Sequence, residues 1–175
     1  MNHHLNPQHT VREAVPADVP RITEVWLEGV VSAFGGNPAP LPPRDVIDAQ
    51  MLKLVLQQTD NFKFWLCVNA NGTIVGWTTI QPFHTTPWEE MRNLFGFMST
   101  FFSNEGRGQG LGSLLTNFAI DYCREHTKIA WVIGMQDKAN TPSVLMTRNA
   151  GFHDMGILPH VDGLIDIGLV IAKTK

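Results

Sequence analysis

The chain has 175 residues, 43% hydrophobic and 17% charged, with a formal net charge of −3. That is the balance of one globular domain able to bury a sizeable core. The negative balance argues against a general nucleic-acid or anionic-membrane surface, so any anion must be gripped locally by a few positioned groups. No apolar run approaches the roughly 20 residues that span a bilayer, and Met1–Thr10 holds no signal-peptide core. Two cysteines, Cys67 and Cys123, each inside an apolar segment, do not make a disulfide framework, and a cytoplasmic chain is expected.

Residues 1–10 read as a flexible tail, with His3, His4 and His9 solvated rather than holding a metal, and residues 11–175 as a single domain. Val11–Val15 reads as a strand. Asp18 then offers a helix N-cap, with Pro20 in the first turn and Val19, Ile22, Val25, Trp26, Val30 and Ala33 at helical spacing. Gly35–Pro43 breaks that helix. A second helix is expected over Arg44–Gln57, with Val46, Ile47, Met51, Leu54 and Val55 on one face. Phe62–Asn69 and Thr73–Gln81 read as strands of a tight hairpin turning at Asn71-Gly72. Pro82–Arg92 is loop-like and Asn93–Phe102 returns to strand.

A helix over Leu111–Glu125 places Leu111, Leu114, Leu115, Phe118, Ala119, Tyr122 and Cys123 on one stripe. Ile129–Met135 is a buried-type strand. Thr141-Pro142 reads as an N-cap followed by proline, opening a short helix that stops at Gly151. Phe152–Leu158 and Leu164–Ala172 are the closing strands. The order β-α-α-β-β-β-α-β-α-β-β implies an α/β fold, a mixed sheet with helices on its faces.

The run Arg107-Gly108-Gln109-Gly110-Leu111-Gly112-Ser113 lies where a strand gives way to a helix. Such a junction presents a cup of backbone N–H groups suited to an anion, most often a phosphate. Glycines at alternate positions let the main chain approach a ligand without side chains in the way. A P-loop would need Lys before Ser113, and that position is Gly112. A dinucleotide fingerprint would need glycine or alanine where Ser113 stands and a second βαβ half, and the sequence shows neither.

Arg107-x-x-Gly110-x-Gly112 resembles the acetyl-CoA pyrophosphate loop of the GNAT family of N-acetyltransferases. Val11-Arg12-Glu13-Ala14 with Pro16-Ala17-Asp18 is similar to that family's opening strand and helix. Asn140-x-x-Ser143 with Gly151-Phe152 and Gly156 is similar to its last helix and the strand after it. The segment from Val132 through Phe152, with the tail containing Asp166, looks most like the phosphinothricin-type enzymes, which act on the primary amine of amino-acid-like compounds. The resemblance implies a mostly antiparallel mixed sheet of about seven strands with four helices on its faces. It also implies acetyl-CoA as cosubstrate, no metal, a small amine as substrate, and a possible homodimer.

On the same resemblance, amides from Gly108, Gln109, Gly110, Leu111, Gly112 and Ser113 hold the pyrophosphate, with Arg107 adding a cation. Main-chain groups of Thr100, Phe101 and Phe102 pair with the pantetheine arm, and one amide faces the thioester oxygen. Asn140 and Ser143 sit beside the arm near the departing sulfur. The expected chemistry is attack by a neutral amine on the thioester carbonyl, which needs a base because a free alkyl amine has a pKa near 10.

The chain departs from the family pattern where acid and base belong. The family's frequent tyrosine falls at Thr147, a strand glutamate at Phe97, and a histidine at Ile165, so neither role carries over. His84 and Glu90 of the loop before the central strand are the candidate catalytic residues. His84 comes first because its ordinary pKa suits proton transfer near neutrality. Glu89, His160 and Asp162 are further candidates to line the acceptor pocket, and Phe34, Trp77 and Trp88 to shape it. Tyr122 is excluded as an acid by its place on the apolar stripe. Two alternatives to a small-molecule enzyme stand beside this reading: an acyl-CoA-binding module without catalysis, and an acetyltransferase for a protein's lysine or N-terminus.

Overall fold

The computed structural model describes residues 8–33, 40–82, 93–158 and 167–174. His84, Glu89, Glu90, His160, Asp162, Phe34 and Trp88 lie outside them.

Seven strands form one sheet in the order β1-β2-β3-β4-β5-β7-β6. They are β1 (His9–Glu13), β2 (Lys63–Asn69), β3 (Ile74–Pro82), β4 (Phe95–Phe102), β5 (Trp131–Asp137), β6 (His153–Leu158) and β7 (Ile167–Lys173). Four α-helices are described: α1 (Val19–Ala33), α2 (Arg44–Leu56), α3 (Leu111–His126) and α4 (Thr141–Asn149). The expected order of elements and the mixed, mostly antiparallel sheet are both observed. β4 and β5 are the parallel pair, and the other described neighbours run antiparallel.

Alternation along β2 sorts the core into two layers. Phe64 and Leu66 face α1 and α2, packing with Ile22, Val25, Ile47, Met51, Val55 and Trp77. Trp65 and Cys67 face α3, where Ala119, Ile120 and Cys123 back the first and Leu111 and Leu115 the second. Trp77 is fixed at its polar end too, its indole N–H donating to the Ile22 carbonyl at 3.2 Å. Both cysteines are buried and unbridged, and burial pushes the Cys67 thiol up to about 11.

Several boundaries differ from the sequence expectation, each for a local reason. β1 begins at His9, inside the expected tail, because His9 pairs with Asn69 and continues the ladder to the hairpin end. Asp18 does not cap α1. A 3-10 turn, Pro16–Asp18, precedes the helix, and the Asp18 carboxylate reaches back to accept the Val15 N–H at 2.9 Å. The same carboxylate takes two bonds from the Arg12 guanidinium, each 2.7 Å, which hold it below the usual carboxylate range. On α2, Ile47, Met51 and Val55 are buried but Val46 is exposed. The hairpin loop has three residues, as the expected strand ends leave, closed by the Asn69 N–H donating to the Thr73 carbonyl at 2.9 Å. Asn69 Oδ1 accepts from both Asn71 and Thr73 amides, and Gly72 takes the left-handed conformation at φ +80°.

On α3 the buried face is Leu111, Leu115, Thr116, Ala119, Ile120 and Cys123. Leu114, Phe118 and Tyr122, expected on the same stripe, are only half-buried. The α4 cap is Asn140, one residue before Thr141, its side chain accepting the Ser143 N–H at 3.3 Å.

Candidate active site

The two parallel strands part company early. Phe95, Gly96 and Phe97 pair with Trp131, Val132 and Ile133, and among the described residues the ladder stops there. Met98–Phe102 of β4 continue against β3 only, while Gly134–Asp137 of β5 continue against β7 only. A wedge therefore opens toward the C-terminal ends of β4 and β5, each strand offering N–H and C=O groups that no neighbouring strand among the described residues takes up. An extended polar ligand satisfies such an edge as a third strand would. Because β4 leads into α3 and β5 into α4, both helix N-termini flank the mouth of this wedge, the usual position of ligands in parallel α/β sheets.

The α3 end is built to receive an anion. Gly110 occupies the N-cap with φ +75° and supplies no side-chain cap, so the first helical N–H groups have no capping acceptor. Gly108 is also left-handed, at φ +73°. A Cβ at either position would meet nothing within 4 Å. Both glycines are thus required by backbone conformation, not by crowding. No acidic residue stands in the first turn, which leaves the roughly half-unit positive helix end uncompensated. At Gly112 the missing side chain makes room for Met146 of α4, whose Sδ would lie 2.7 Å from a Cβ there. It lets the second turn of α4 pack against the first turn of α3.

A dense set of contacts holds the loop between β4 and α3. Ser103 donates through both its N–H (2.9 Å) and its hydroxyl (3.1 Å) to the Val75 carbonyl. The Glu28 carboxylate of α1 accepts the Asn104 N–H at 2.7 Å. Arg107 is spent on protein oxygens: Asn104 Oδ1 at 2.9 Å, the Glu28 carbonyl at 2.8 Å and the Phe102 carbonyl at 3.0 Å. It is a staple between loop, strand end and α1, and it removes the Phe102 carbonyl from the groups that β4 offers. Gln109 folds back on the Glu105 carbonyl at 2.7 Å. The Thr100 hydroxyl is 2.7 Å from that of Thr78 across the β3–β4 pair. The Phe101 ring packs at 4.8 Å on Trp77, the residue it opposes in the β3–β4 ladder.

Asn140 caps α4, and its amide nitrogen has no hydrogen-bond partner among the described residues. Thr147 turns to Gln136 of β5, whose Oε1 takes hydroxyls from Thr147 at 3.0 Å and Ser143 at 3.2 Å. Gln136 was missed in the sequence. Its signal was a polar residue two beyond Gly134, on the buried phase of β5, matched by Ser143 and Thr147 four apart on the facing helix. Tyr122 sits in the second half of α3 with its hydroxyl donating to the Asp60 carbonyl at 3.2 Å.

The model of the acetyltransferase (GNAT) family matches residues 31–152. The chain belongs to that family. Its solved structural neighbours share the GNAT fold at low identity. A phosphinothricin acetyltransferase from Sinorhizobium meliloti, in complex with acetyl-CoA, is 20% identical with a TM-score of 0.74, covering 95% of this chain and 88% of its own. The ribosomal-protein-S5-alanine acetyltransferase of Vibrio fischeri is 16% identical at 0.76, covering 98% and 96%. Spermidine N-acetyltransferase from Vibrio cholerae, in complex with CoA and spermine, is 16% identical at 0.73, covering 97% of each. No curated protein matches by sequence. Proteins named for such different acceptors score within a narrow range, so the GNAT frame is common to them and the acceptor is written elsewhere. Among the described residues no helix is long and apolar enough to cross a membrane.

Proposed function

We propose that the chain is an acetyl-CoA-dependent N-acetyltransferase acting on the primary amine of a small molecule, an amino acid or amino-acid analogue, by direct attack on the thioester. The carrying observation is the wedge between β4 and β5 opening onto the left-handed glycine cup at α3. Amides from Gly108 to Ser113 take the pyrophosphate, main-chain groups of Thr100 and Phe101 take the arm, and Asn140 adds its amide nitrogen. The neighbour solved with acetyl-CoA and the neighbour solved with CoA and spermine support the cosubstrate and a small amine. With the glycine-cup amides fixed by folding, no net positive charge is needed.

The base is assigned to His84, with Glu90 as the second candidate, because Thr147 and Phe97 supply neither acid nor base. The test is thiol release from acetyl-CoA over a panel of amino acids, polyamines and peptides. Amine-dependent release with small primary amines is expected. Tight acetyl-CoA binding without release supports the binding module instead, and release with peptides alone supports a protein acetyltransferase. His84→Ala should lower kcat by about 10²-fold, and a near-normal rate removes His84 from the mechanism.

A further inference from the structure

The Gln136 carboxamide is held in one orientation at the wedge. Its Oε1 faces α4, accepting the Ser143 hydroxyl at 3.2 Å and the Thr147 hydroxyl at 3.0 Å. The carbonyls of Ser143 and Val144 also lie within reach of the Thr147 hydroxyl, at 3.2 and 3.1 Å. The hydroxyl has one proton, and of its three contacts the one to Oε1 is the shortest. Thr147 is buried, at 5% exposure, and does not swing away. The Nε2 branch, with two N–H donors, has no partner among the described residues, in a part of β5 that has left β4 behind. A half-buried amide that spends its oxygen on two hydroxyls and leaves its donors unspent is arranged to donate.

Along β5, Gln136 stands three residues past Ile133, the last residue paired with β4. At about 3.3 Å per residue that is roughly 10 Å from the apex of the wedge. It lies on the face of the sheet that α4 covers. A ligand whose diphosphate occupies the α3 cup and whose reactive end lies toward the apex passes Gln136 with its middle, and in an acyl-CoA that middle carries amide carbonyls.

Resting on the acyl-CoA reading, we propose that Gln136 Nε2 donates a hydrogen bond to an amide carbonyl in the arm of the cosubstrate, with Ser143 and Thr147 as positioning residues that keep the donor outward. Thr147 thereby takes a role in arm docking in place of proton transfer.

Calorimetry on the full chain tests this with two probes: CoA, and 3′-phosphoadenosine 5′-diphosphate, which has the diphosphate and lacks the arm. Gln136→Met keeps the length of the side chain and removes its polar atoms. It should weaken CoA about tenfold and leave the armless probe within twofold. Gln136→Glu keeps Oε1 but has no N–H donor, and it should weaken CoA at least as much. Thr147→Val should weaken CoA in the unaltered chain and add nothing in the Gln136→Met background, which a merely structural role would not reproduce. Unchanged CoA affinity in Gln136→Met, equal weakening of both probes, recovery of full affinity by Gln136→Glu, or additive effects of the Thr147 change each overturn the proposal. If the unaltered chain binds neither probe, the acyl-CoA reading falls and takes this proposal with it.

Discussion

Gly110→Ala separates the conformational role of the cup from simple stability. The residue sits at φ +75° with no atom within 4 Å of where a Cβ would stand, so the alanine methyl meets no clash. What it meets is the left-handed penalty of roughly 1–2 kcal/mol. Because nothing packs there to hold the strained conformation, residue 110 relaxes toward negative φ and turns the amides that follow it. Anion binding must then restore the cup, and the strain appears in the affinity. At about 1.4 kcal/mol per decade, the Kd for CoA rises roughly fivefold to thirtyfold. Gly72→Ala is the matched control. It has φ +80° and equally open surroundings, but the Gly72 N–H donates to the Asn69 carbonyl at 2.9 Å and the Asn69 side chain braces the loop. There the strain stays in the fold, partly offset by a narrower unfolded ensemble, as a melting temperature lower by about 2–4 °C. Titration calorimetry and thermal melts on both variants decide the matter. A folded Gly110→Ala chain that binds CoA as tightly as the parent refutes the reasoning.

Two further outcomes follow from the contacts described. Arg107→Lys keeps the charge but cannot reach Asn104, Glu28 and Phe102 together, so both melting temperature and CoA affinity should fall; a lysine variant equal to the parent would show that only the charge matters. For Asp18, the native pKa is depressed chiefly by its hydrogen bonds from Arg12. Its stabilisation is therefore present above the unfolded value of about 3.9 and is lost as pH falls through the lower native value. Urea melts of the parent and Asp18→Asn should differ at pH 6 and converge as pH falls through the lowered native value, whereas a constant gap would mean that the carboxylate charge is not the source.

The frame was legible because its signals are local. Alternation in Phe62–Asn69, the Asn71-Gly72 turn and the glycines before α3 each act over a few residues, and all appear close to where they were read. Boundaries that failed were decided by partners distant in sequence. Asp18 is drawn from the helix cap by Arg12, and Val46 is left exposed where α2 turns away from the core. Gly112 looks in sequence like its neighbours Gly108 and Gly110. Only the approach of Met146 reveals that it serves helix packing, just as only the Glu28 and Phe102 carbonyls reveal Arg107 as a staple. The wedge itself has no sequence signature, since it is an absence of pairing between β4 and β5. Gln136 follows from it: a polar residue on a buried phase acquires meaning once the strand beside it has moved away.

β7 lies between β5 and β6, pairing with both, although it follows them in the chain. During synthesis β5 and β6 emerge before the strand that joins them to each other, and β5 has a three-residue hold on β4 until then. The wall of the wedge that carries Gln136 therefore cannot be completed until β7, the last described strand, has been made. The half of the molecule that grips the diphosphate is complete in sequence before the half that lines the other side of the opening.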